Sequence, residues 1–172
     1  MSPAVQSSLP AATSAPTSGG VVPPTRQGAA VAIPTDEAGL TFVGVSKAPG
    51  TETETLSWWR RTAGCSGDNL PTLSAGQFFL FKTPTGSLVN GFVMPIPSAL
   101  VQTVQDAIAS CAASATVPVS SGAVGGTPYF AASADYIGNI AVVNGTLVTE
   151  THQPKDAAAG MDLFRRIVAA AS

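Results

Sequence analysis

Gly76–Pro97 reads GQFFLFKTPTGSLVNGFVMPIP, and the fold class turns on it. Phe78–Lys82 and Ser87–Met94 have strand composition, and Thr83-Pro84-Thr85-Gly86 between them has turn chemistry. Pro84 presets φ at the first corner, and Gly86 can take a positive φ near the end of the turn. Two apolar strands folded back on each other are unstable alone in water, so the rest of the chain is expected to cover them.

Outward from the hairpin, the same logic finds more strands. Leu40-Thr41-Phe42-Val43-Gly44-Val45 alternates as a half-buried strand does, with Leu40, Phe42 and Gly44 on one face. Thr51–Thr62, TETETLSWWRRT, opens with strict Thr/Glu alternation and reads as a further strand. On the C-terminal side, Pro97-Ser98 opens a helix with Ser98 as N-cap, and Leu100, Val104, Ile108 and Cys111 form its apolar stripe. Ser114–Gly126 reads as a loop or a short strand through Val117–Val119, and Thr127–Ala132 as another strand. Ile137–Glu150 holds a second hairpin, with Asn144-Gly145 as the preferred pair for a type I′ turn. A final helix from Pro154 to Ala171 has a stripe of Met161, Phe164, Ile167, Val168 and Ala171. The expected fold is mainly β: an antiparallel β-sandwich or jelly-roll-like domain over residues 37–172, with two packed helices near 98–113 and 154–171.

Residues 1–36 differ in kind. They are rich in Ala, Ser, Thr, Pro and Gly, are interrupted by Pro3, Pro10, Pro16, Pro23, Pro24 and Pro34, and show no sustained period. Such a segment cannot offset its ordering entropy alone, and it reads as a flexible arm, either a tail or one that orders against a neighbouring subunit.

The 172 residues allow one ordinary domain, with charged residues at 10% and a net charge of −2. A surface with so little charge resists association weakly, which suits a subunit packed against neighbours better than a free monomeric enzyme. No apolar run reaches the roughly 20 residues of a membrane span. The first residues show neither a basic segment nor a continuous apolar one, so export by a secretory signal is not expected and assembly inside a cell is.

Reactive side chains are few. His152 is the one histidine, in Thr151-His152-Gln153-Pro154, and its simplest reading is a solvent-facing residue at a strand-to-helix junction. A hydrolase would have to use it with Cys65 or a serine. Cys111 on its helix stripe reads as a small buried hydrophobe, and Cys65 lies in the Gly64–Asp68 loop. A Cys65–Cys111 bridge is open to the chain but goes against an intracellular setting. No nucleotide-binding or metal-ligating spacing occurs, so no cofactor and no metal are expected. Trp58-Trp59-Arg60-Arg61 is the interface candidate. In a strand the indoles point to opposite faces, and Leu56 two residues earlier favours Trp58 as the buried one. The other either packs under a loop or helix, or stacks with an Arg on a sugar, a base or a partner protein. The eight basic residues are outnumbered by acids, so strong nucleic-acid binding is not expected.

An arm of this composition before a charge-poor β-rich domain resembles virus or phage structural proteins, and FFLFKTPTGSLVNGFV resembles hairpins in coat-protein surface domains of small icosahedral RNA viruses. The resemblance implies a coat or decorating subunit of a virion, with copies of itself or other capsid subunits as partners. The arm departs from the pattern, since many coat proteins carry a basic arm and this one holds Arg26 alone as a basic residue. The alternatives are a glycan- or protein-binding module using Trp58 or Trp59, and the His152 hydrolase.

Overall fold

A computed structural model describes residues 31–35, 39–47, 59–65, 73 and 76–172. Among these residues seven strands form one antiparallel sheet: β1 (Thr41–Lys47), β2 (Gln77–Lys82), β3 (Leu88–Pro95), β4 (Val119–Val124), β5 (Thr127–Ser133), β6 (Ile137–Val143) and β7 (Thr146–His152). Their order is β1-β2-β3-β7-β6-β5-β4, so the two predicted hairpins, β2–β3 and β6–β7, meet at the centre where β3 pairs with β7. Both turns form as their residues require. Gly86 takes φ +84° and donates its N–H to the Thr83 carbonyl at 2.9 Å, while Asn144 and Gly145 take φ of 45° and 72°, the pair of positive values a type I′ turn needs.

The mainly β antiparallel class is as expected, and among the described residues no second sheet forms the sandwich or jelly roll expected with it. The strands lie in one open sheet, and helices cover it. On one face α3 (Ala157–Ala171) buries Leu163, Phe164, Ile167 and Val168 against Phe79, Phe81, Val93, Ala141 and Val148. On the other, α2 (Val101–Ala113) buries Val104, Ile108 and Cys111 against Met94, Ile96, Ile140 and Leu147. Consecutive residues such as Val93 and Met94, or Leu147 and Val148, feed opposite cores, because strand side chains alternate between faces. Strand β7 is buried along its whole length, as a central strand covered on both sides must be. The alternation that suggested a second sheet is equally well satisfied by a helix on each face.

Three local expectations change. Ser98 lies in a 3-10 turn, Ser98–Leu100, and no side chain caps α2; Leu100 holds the N-cap position. In β1 the simple alternation breaks at Val43, where a bulge leaves Phe42 opposite Phe81 but Gly44 opposite Leu80. Val31 and Ile33, read from sequence as part of the arm, pack on the α3-side core.

Candidate functional site

Trp59 is not in a strand. Residues 59–63 are helical, in an element designated α1, and Trp59 is 1% exposed in the α2-side core with Ala63 and Leu73. The opposite-face argument required a strand through this stretch, and Trp59 lies in a helix instead. The expectation that Trp58 is the buried indole falls on a residue outside the described ones, and its neighbour fills the core. Arg60 is partly buried with its Nε unpaired, and Arg61 is exposed, so of the four interface candidates only Arg61 is a fully exposed described residue.

The reason for α1 is visible at its end. Cys65 is disulfide-bonded to Cys111, with Cα atoms 5.3 Å apart, which ties α1 to the buried stripe of α2. The Cys65 N–H donates to the Arg60 carbonyl, and Thr116 fastens the same corner by donating its hydroxyl to the Gly64 carbonyl at 2.9 Å. Cys111 is thus not a free thiol, and Cys65 is not an available nucleophile. Spacing could not distinguish this pair from two unrelated cysteines.

His152 is also not where the sequence placed it. It ends β7 on the α3 face and is 1% exposed. Its Nδ1 stands 2.9 Å from both carboxyl oxygens of Glu150, which is fully buried two residues earlier on the same face. Asn139, directly opposite Glu150 in the β6–β7 register, donates its Nδ2 to Oε2 at 2.7 Å. Gly160 of α3 closes the cluster from above, and a Cβ at that position would collide with the imidazole and the Glu150 carboxyl. Burial raises the Glu150 carboxyl above its ordinary 4.5, against the opposing pull of His152 and Asn139. Such a triad can hold and share a proton, and all three of its side chains are buried. The Thr-Glu-Thr-His alternation of β7 was the signal, since it puts Glu150 and His152 on one face, yet polar residues on a strand read as its wet side.

No family model matches this chain, and no match is found among curated proteins or solved structures. Geometry alone must therefore speak for function. Among the described residues no group of acidic, His or Cys side chains could hold a metal, and no helix is long and apolar enough to cross a membrane. A groove of about 250 Å3 runs beside α2, floored by Phe130, Ile140 and Val142 and walled by Ile108 and Ala109, with Gln105 and Asp106 on its rim.

Proposed function

We propose that this chain is a non-catalytic structural subunit that works by associating with copies of itself, as viral coat or decorating proteins do. The reading rests on the fate of the reactive side chains: Cys65 and Cys111 are joined to each other, and His152 is sealed with Glu150 beneath α3. Among the described residues, both cysteines and the histidine are thus engaged in holding the fold. A surface near electrical neutrality then offers little resistance to a like neighbour. The disulfide supports a life in contact with an oxidising environment, as on the outer surface of a particle, rather than one confined to a reducing cell interior. The test is sedimentation velocity of the full chain over a concentration series, with negative-stain imaging of any fast species. Concentration-dependent association is expected; a monomer at every concentration rejects the reading.

The groove beside α2 favours a second reading, a module that binds a small apolar or aromatic ligand. Of the two indoles, Trp59 does not serve it, because it is core. Titration with aromatic fragments, followed by NMR, would support this reading if the shifted resonances cluster at Ile108, Phe130 and Val142.

A further inference from the structure

We infer that two copies of this chain pair through β4, antiparallel across a two-fold axis, so that their sheets become one. The inference rests on the self-association reading and names its contact surface.

The two edges of the sheet are built differently. The β1 edge carries the bulge at Val43, a device that discourages strand addition. The β4 edge carries none. Val119–Val124 pairs with β5 in unbroken register over its whole length and contains no proline, no charge and no bulge. Among the described residues no segment pairs with its outer side. Its four central residues, Ser120, Ser121, Gly122 and Ala123, are exposed.

The strand is also held ready. The ring of Tyr129 lies so close over Gly122 that a Cβ there would stand 2.7 Å from it, and Tyr129 in turn packs edge-to-face on Phe164 of α3 at 5.6 Å. The edge is thus backed by the α3 core and loses little freedom on pairing.

Charge points to a second copy as the occupant. A two-fold antiparallel pair sets each residue opposite a residue of the same strand, so any charge near the axis faces its own kind. No charged residue lies between Asp106 and Asp135, and β4 sits inside that interval. An axis perpendicular to the sheet, passing beside Ser121, places the two Ser121 side chains opposite each other. It also keeps the α2 faces continuous with one another, and likewise the α3 faces.

Ser121→Lys and Ser121→Glu test this at an exposed side chain. By sedimentation equilibrium the parent is expected to dimerise, each variant alone to dimerise at least tenfold more weakly, and an equimolar mixture of the two to recover the dimer. Amide exchange of the parent should show β4 N–H groups protected at dimer-forming concentration and released on dilution. If Ser121→Lys associates as the parent does, or β4 amides exchange freely in the associated state, the β4 pairing is overturned while self-association through another surface stands. A parent that stays monomeric throughout overturns both, including the case in which β4 amides are protected only by an added extended peptide.

Discussion

Glu150 is held without solvent in the middle strand of the sheet, and that placement has a pH signature. Its carboxyl is raised above 4.5 mainly because burial disfavours the anion. The folded chain therefore keeps a proton that the unfolded chain releases. The stability this contributes is fully present below the ordinary carboxylate range and is lost as pH rises through the folded value. Glu150→Gln keeps an acceptor for Asn139 and supplies an N–H for His152 Nδ1 while removing the titration. Melting curves from pH 4 to 8 should show a decline in the parent that is shallower in Glu150→Gln; identical slopes would mean that Glu150 does not titrate with folding. Gly160 is the other residue on which the cluster depends. Gly160→Ala should cost about 1–3 kcal/mol, the usual penalty for overpacking a filled site, by chemical denaturation. A gain of helix propensity without loss of stability would show that His152 can move aside.

Among the elements, α1 is tied to α2 by the disulfide between Cys65 and Cys111. The bridge closes a loop with a sequence separation of 46, which in the chain-entropy treatment is worth about 4 kcal/mol. Reduction, or Cys111→Ser paired with Cys65→Ser, should lower stability by about 2–5 kcal/mol and free Trp59 to solvent, read as a red shift of its fluorescence. A melt unchanged by reductant would mean that the α1–α2 packing holds by itself. The same elements mark what the sequence did and did not disclose. Both hairpin turns, the stripe of α2 and the stripe of α3 were legible, because each rests on local chemistry: Gly86 and Asn144-Gly145 at positive φ, Val104 and Ile108 or Phe164, Ile167 and Val168 on one helical face. Residues 59–63 were misread as strand, because the Thr/Glu alternation upstream was extended into a segment that is helical and tied to α2 through Cys65. The full extent of β4 was missed, since Ser-Ser-Gly-Ala has no strand signature of its own and is recruited by pairing with β5. His152 and Glu150 were missed for a related reason: a strand's polar face is wet only until a helix covers it.

At the scale of the whole molecule, the folded unit reaches further toward the N-terminus than Leu40. Val31 is buried in the same core as Phe79 and Phe164, with Ile33 packed against it. A chain beginning at residue 40 should therefore be less stable than one beginning at residue 31, by about 1.5–3 kcal/mol for Val31 if its burial is fully lost. Equal denaturation midpoints would show that Val31 and Ile33 rest on the core without contributing to it.

The bulge at Val43 has a consequence for how far association through the sheet can go. In the language of polymer chemistry, a strand-joining monomer with two open ends is bifunctional and grows into fibrils, whereas one with a single open end can only form a pair. With β1 interrupted at Val43 and β4 continuous, the proposed β4 pairing makes this chain of the second kind. A β4-joined pair would present a bulged β1 at both extremities and so terminate its own growth. Any closed shell made from such pairs would have to use the helix-covered faces as its remaining contacts, and the sheet would set the size of the building block rather than of the particle.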